Sequence, residues 1–234
     1  MLQKHFKTIN STQIYLKENL DKLLCQDSEI IISCSEQTDG VGRKGNSWDN
    51  YSNSLALSFT IKPTSIPSLT PIEIGLLTIS FLKEKYKKSL FAKWPNDLLT
   101  AEGKKCGGIL CQYYNESIVV VGLGLNLGKI SSSAKGQYPH GLGSVDQSLE
   151  LQEFDHEKIS MEIYQFFLSH RLSPENIKKE FNLSCFHINK KVLLIEDEKE
   201  FIGIFKGLGE NGEAIVEIDS IDTKFLSSSL RILN

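Results

Sequence analysis

The sequence predicts an α+β protein in two parts: a large domain over residues 1–187 and a small β-barrel over residues 188–234. Two observations carry this. Segments of strand and helix period follow one another up to about Ile188, including a long helical spacing over Pro71–Tyr86. Beyond Ile188 the pattern becomes short alternating strands separated by turns, which suits a small barrel. A chain of 234 residues can hold one sizeable core and a small appendage.

The elements follow in order. Ser11 or Thr12 can cap a helix to about Leu24, with Ile14, Leu16, Leu20, Leu23 and Leu24 as its apolar positions. Glu29–Ser35 is rich in Ile and reads as a strand, and Asn53–Ile61 alternates as a half-buried one. Pro71 opens the next helix, and Ile72, Leu76, Ile79, Leu82 and Tyr86 continue it. Phe91–Lys93 is a short strand, Glu102–Lys104 a hairpin turn, and Asn115-Glu116 joins strands Gly107–Tyr114 and Ser117–Leu125. The last of these is nearly all apolar and belongs in the centre of its sheet. Ile130–Gly143 reads as a polar loop, Asp155–Ser169 and Ser173–Asn182 as helices. The barrel strands are expected at Lys191–Ile195, Lys199–Lys206, Ala214–Ile218 and Phe225–Leu226.

Bulk properties exclude several classes. Apolar residues make up 40% and charged residues 24%, ordinary for a globular protein. Twenty-six bases against 29 acids leave a net charge of −3, with no global attraction for nucleic acid or an anionic membrane. The opening MLQKHFKTIN lacks a signal-peptide core, and no apolar run approaches the roughly 18 residues of a spanning helix. Five widely spaced cysteines (Cys25, Cys34, Cys106, Cys111, Cys185) have no zinc-site spacing and suit reduced thiols in a cytoplasmic protein.

Two stretches carry chemistry. Ala92–Asp97 (AKWPND) sets a cation and a carboxylate close together, a phosphate site that also holds magnesium, or a turn with a solvated Lys and Asp. Pro95 pushes Trp94 toward an extended backbone. Gln37–Trp48 has glycines at 40, 42 and 45 beside Arg43 and Lys44. Such a loop can cradle an anion through backbone amides or be a plain surface loop. Gly122–Asn126 (GLGLN) is no dinucleotide fingerprint, because no third glycine opens a helix.

KWPND followed by KCGGIL at Lys105–Leu110 resembles the biotin protein ligases, which activate biotin with ATP and attach it to a carboxylase carrier domain. Ser11–Thr12, Glu36–Trp48 (EQTDGVGRKGNSW) and GLGLN match the same family in the same order, from about residue 10 to the C-terminus. The resemblance implies a mixed β-sheet flanked by helices, of the kind shared with class II aminoacyl-tRNA synthetases. It also implies a small barrel like a Src-homology-3 domain. It places biotin against Ser11, Thr12, Gln37, Gly40, Arg43, Trp48, Lys105 and Gly108. It places ATP against Arg43, Lys44, Lys93, Asn96, Asp97, Lys105 and Asn126, with residues 130–143 over the adenine and magnesium on Asp97. Lys105 and Arg43 are the expected catalytic residues, Lys105 by stabilising charge as the biotin carboxylate attacks phosphorus. Lys104 is the alternative if the alignment is counted forward from Lys93; the strand that follows favours Lys105. The implied partner is a biotin carboxyl carrier protein, with no nucleic acid, no membrane, and a homodimer left open.

The sequence departs from the family pattern at three places: Gln13 stands for Asn, and Val41 and Asn46 stand for Arg. Val41 keeps a lipoate or octanoate ligase in view, while KWPND argues against it. A biotin-sensing repressor needs a DNA-binding module, for which the start of the Ser-Thr helix leaves no room. A binding-only protein fits poorly with Lys93, Asp97, Arg43 and Lys105 all present.

Overall fold

The computed structural model describes residues 1–49, 53–130, 141–152 and 154–233. Residues 131–140 of the loop expected over 130–143 lie outside them. The chain opens with strand β1 (Leu2–Ile9), then helices α1 (Thr12–Glu18) and α2 (Leu20–Leu24), strand β2 (Ile30–Gln37) and a two-strand hairpin of β3 (Gly40–Val41) and β4 (Ser47–Trp48). Strand β5 (Ser54–Ile61) and helix α3 (Thr70–Tyr86) precede strands β6 (Phe91–Lys93), β7 (Asp97–Leu99), β8 (Lys105–Tyr113) and β9 (Val119–Asn126). Helices α4 (Asp155–Ser169) and α5 (Pro174–Ser184) lead to strands β10 (Lys191–Glu196), β11 (Lys199–Leu208), β12 (Ala214–Ile218), β13 (Ile221–Phe225) and β14 (Ser229–Ile232).

The central sheet has seven strands in the order β1-β2-β5-β9-β8-β7-β6. Only β1 and β2 run parallel; every other pairing is antiparallel, so the sheet is mixed. Strand period decides its two faces. Val119, Val121, Leu123 and Leu125 of β9 join the main core with α3, α4 and α5, whereas Val120 joins Leu16, Leu20 and Leu23 of α1 and α2. β1 is missing from the sequence reading because its pattern is polar. Its register pairs Leu2 with Ile30 and Ile9 with Gln37, so the sheet recruits it by backbone bonds rather than by a fully buried face. The helix expected to run unbroken to Leu24 divides at Asn19, whose side-chain amide donates to Tyr15 O at 2.9 Å and competes with the helical ladder.

The C-terminal strands form an antiparallel sheet in the order β13-β12-β11-β10-β14. These are the strands of the expected small barrel, which stays open: no ladder joins β13 to β14 among the described residues. A flat sheet of five strands would be ~19 Å wide, yet three residues, 226–228, link the two edge strands and span at most ~14 Å. The sheet therefore curls strongly without closing. A single core cluster runs across the expected boundary, from Ile177 and Phe181 of α5 to Val192, Phe205 and Val216. Trp94 adds a direct tie, burying its indole and donating to Gly212 O at 3.0 Å. The Trp94-Pro95 peptide bond is cis.

Candidate active site

The side of the sheet that carries α1 also carries a cavity of about 670 Å³. Its floor follows from register. Ala56 lies opposite Gly124, Gly124 opposite Gly108, and Gly108 opposite Asp97, so one row across four strands has almost no side chains until it reaches a carboxylate. Directly opposite residues share a face, and this row makes a trench. Trp48 lies in it: a Cβ at Gly124 would run into its indole, and one at Gly108 would stand 3.5 Å from it. The glycines are there so that the indole can approach the backbone.

Asp97 organises the cationic end. Lys93 is its cross-strand partner, with Nζ 3.2 Å from Oδ2; Lys105 at the start of β8 puts Nζ 2.7 Å from Oδ1. Burial pushes the Asp97 carboxyl up, but the two ammonium groups outweigh it and hold it below the usual carboxylate range. Arg43 joins from the glycine loop, donating from Nη1 to Asn96 Oδ1 at 3.0 Å, and Asn96 is itself fixed to Ile109 through both backbone and side chain. Lys105 Nζ also lies 5.8 Å from the Trp48 ring centroid. With Lys44 and Arg231, the cationic side chains on the wall number five, against Asp49 and Asp97. That excess suits a polyanion.

The other end is neutral and rich in hydrogen-bonding groups. Ser11 caps α1 and Thr12 is buried beside it. Gln37 Oε1 accepts from Thr12 N at 2.9 Å and from Thr12 Oγ1 at 3.2 Å, which leaves its Nε2 as the end a ligand acceptor would meet. Ser58 Oγ is 2.9 Å from Thr12 Oγ1.

The glycine loop is more structured than a plain surface loop. β3 and β4 pair Gly40 with Trp48 and Val41 with Ser47; Gly42 N donates to Asn46 O at 2.7 Å; Lys44 takes φ 53°. Lys44 Nζ donates to Ser227 O at 2.9 Å, so the loop is tied to the C-terminal sheet, whose residues 228–231 close one side of the cavity.

The cavity thus collects Ser11, Thr12, Gln37, Arg43, Lys44, Trp48, Lys93, Asn96, Asp97, Lys105 and Gly108. Two residues singled out from sequence do not line it. Gly40 is buried, and a Cβ there would collide with Gln37 Nε2 and Trp48 O, so its glycine is needed to close the hairpin. Asn126 is turned into the fold: its amide accepts from Ser54 Oγ at 3.0 Å and donates to Gly143 O at 3.2 Å. Lys104 is exposed and outside the wall. Ser58, Gly122 and Arg231 line the cavity and were not singled out, and Gln13, noted from sequence only as a departure from the family pattern, lines it too. Gly122 stood in a quoted motif, but no local signal marks Ser58 or Arg231. Val41 and Asn46 also face the cavity.

A magnesium ion would compete with two lysines for the carboxylate of Asp97. Both its oxygens are engaged by ammonium groups, and the described residues hold no cluster of three or more His, Cys, Asp or Glu. A magnesium ion would find its oxygen ligands on nucleotide phosphates and water. Four of the thiols stay protonated: burial pushes Cys34, Cys106 and Cys185 up to about 12 and raises Cys111 as well.

A family described as the Biotin/lipoate A/B protein ligase family matches residues 5–126, the stretch from β1 through β9 that holds most of this site. The chain belongs to this family. Among curated relatives it is 25% identical over 239 residues to the bifunctional ligase/repressor BirA of Escherichia coli, covering 96% of this chain and 72% of that protein. Its fold is that of the biotin protein ligase from Aquifex aeolicus solved with biotin and ATP: TM-score 0.76, 23% identity, 99% of both chains. It is also that of the Helicobacter pylori biotin acetyl coenzyme A carboxylase synthetase solved with biotinylated ATP: TM-score 0.71, 20% identity, 95% of this chain and 98% of the other. No helix among the described residues is long and apolar enough to cross a membrane.

Proposed function

We propose that the protein is an ATP-dependent biotin protein ligase. It forms biotinyl-5′-AMP and transfers biotin to a lysine of a biotin carboxyl carrier domain. The observation that carries the reading is the two-ended cavity. Neutral donors and acceptors at Ser11, Thr12, Gln37 and Ser58 suit a small polar ring, and Arg43, Lys44, Lys93 and Lys105 suit phosphates. The solved relatives of this fold are named for biotin, ATP and biotinylated nucleotide.

A carboxylate oxygen of biotin attacks the α-phosphorus, the bond to the bridging oxygen breaks, and pyrophosphate leaves. Lys105 lies between Asp97 and the Trp48 ring, where it would offset charge on the attacking carboxylate and the α-phosphate together. Asp97 positions both lysines. Arg43, locked to Asn96, presents its remaining donors to phosphate oxygens. Magnesium, arriving with the nucleotide, would neutralise the departing pyrophosphate. The acceptor amine then attacks the acyl carbon, AMP leaves, and the ammonium proton goes to solvent. Rate comes from positioning and charge neutralisation rather than an enzyme nucleophile. An ATP-consuming reaction on a carrier domain, by a chain with five free thiols, suits the cytoplasm.

The test is pyrophosphate release with biotin, lipoate and octanoate in parallel. Turnover with biotin well above the other two is expected. Turnover with lipoate or octanoate alone refutes the substrate.

A further inference from the structure

Strand alternation does not account for the direction of Lys105. On β8, Gly108 stands in the cavity row beside Asp97 and Gly124. Ile109 joins the main core, and a Cβ at Gly107 would meet Leu98 and Leu125 of that core. A period of two residues would then send Cys106 to the cavity and Lys105 to the core. The opposite is found: Cys106 is fully buried in the core cluster, and Lys105 lines the cavity with Nζ on Asp97. A bulge makes the difference. Leu98 lies opposite Gly107 and Leu99 opposite Lys105, so Cys106 has no partner on β7. One extra residue in β8 turns the side chain before it to the other face.

A second segment holds this bulge. Residues 141–143 run along it as a strap, with Leu142 bridged in parallel to Lys105. Lys105 N donates to Gly141 O at 3.1 Å, and Gly143 N donates to Lys105 O at 2.8 Å. The end of β9 fixes the strap in turn: Asn126 Nδ2 donates to Gly143 O at 3.2 Å, and Val145 N donates to Asn126 O at 2.8 Å. Gly143 fits there only without a side chain. A Cβ would stand 2.8 Å from Lys104 Cβ and 2.9 Å from Thr100 Cγ2, atoms too close to the backbone to swing away. We propose that the strap holds the bulge and so aims Lys105 into the cavity, which makes Gly143 a positioning residue for adenylation. The inference rests on the ligase reading, in which Lys105 meets the carboxylate and the α-phosphate. Residues 141–143 do not line the cavity, so a change in them reaches the reaction through Lys105 or through folding. The same bulge separates the two neighbouring lysines, with the stem of Lys104 against Gly143 and the head of Lys105 on Asp97.

The experiment is a double-mutant cycle on single-turnover pyrophosphate release at saturating biotin and ATP. Gly143→Ala should slow release about tenfold or more, since a catalytic group displaced by about 1 Å can lose about 100-fold. In the Lys105→Ala background the same change should cost no more than about threefold, because the lysine it aims is already gone. An equal factor in both backgrounds would mean that the strap acts elsewhere and overturn the proposal, as would an unchanged rate in Gly143→Ala. If Gly143→Ala does not fold, Gly141→Ala takes its place in the cycle, since Gly141 holds φ 74° and a side chain there is strained. If neither folds, hydrogen exchange of the wild type decides. Amides of Lys105 and Gly143 that are protected and exchange together support the strap, and exchange of either at the open-chain rate overturns it. A wild type that releases no pyrophosphate with biotin removes the functional reading itself. Release without the coupling removes only the role of the strap.

Discussion

Replacing Lys105 by alanine separates its two roles, as a partner of Asp97 and as a catalyst. Asp97 is held by Lys105 at 2.7 Å and by Lys93 at 3.2 Å. Removing Lys105 leaves the buried carboxylate with one ammonium group, so it is not stranded. The stability cost should be that of one charged hydrogen bond in a partly exposed pair, about 1–2 kcal/mol. The catalytic cost is larger. A donor aimed at charge that develops in the transition state contributes about 100- to 1000-fold in rate, or about 2.7–4 kcal/mol. Lys105→Ala should therefore retain a cooperative melt, lowered by a few degrees, while pyrophosphate release with biotin and ATP falls at least ~100-fold. Lys104→Ala is the control: exposed and outside the cavity, it should stay within about twofold of wild type. Near-normal adenylation by Lys105→Ala would refute the role. Greater damage from Lys104→Ala would show that the neighbouring lysine had been mistaken for it.

Other outcomes follow from the same geometry. Backbone amides over 40–48 should exchange more slowly with biotin and more slowly still with biotinyl-adenylate; equal protection with and without ligand would make the hairpin a fixed wall. Val41→Arg should tighten biotin and Asn46→Arg lower the apparent KM for ATP. Each is worth about 1.5–3 kcal/mol if a charge-assisted bond forms, and no change in either constant counts against it. Gly124→Ala puts a methyl group 2.6 Å from Trp48 Cζ2, so biotin affinity should fall about tenfold or more with a changed Trp48 emission, whereas wild-type binding would mean the indole does not rest there. His187 is fully buried, 4.2 Å from the Phe205 ring, and burial, aided by Lys93 and Lys190, lowers its pKa to about 3. The folded state keeps it neutral while the unfolded state binds the proton below about 6.5. Stability therefore falls with pH between about 6.5 and 3, by up to about 1.4 kcal/mol per unit. His187→Gln should flatten that slope in urea unfolding, and an unchanged slope refutes the account.

The sequence by itself determined the elements whose signals are local. Apolar spacing marks α3 and α4 and the strands β5 and β9, although β5 is buried on both faces rather than half-buried, and Ser11 and Ser173 cap their helices with side-chain oxygens as their position suggests. Chemistry-bearing residues such as Lys93, Asp97 and Arg43 stood out because their types and spacing are rare together. Polar β1 did not, since its pairing with β2 is made of backbone bonds that no side-chain pattern announces. The cavity belonged to the tertiary structure alone. Its floor is a row of small residues drawn from β5, β8 and β9, and its polar end needs Thr12, Gln37 and Ser58 from three separate elements. Asn126 shows the same limit from the other side, because its amide turns to Ser54 and Gly143 through contacts its own neighbours do not encode. Periodicity reports which face of an element is apolar, over a few residues. Which residues stand opposite one another is set by register and packing across the whole chain, and it is register that put two glycines beside Asp97 and made room for a ligand.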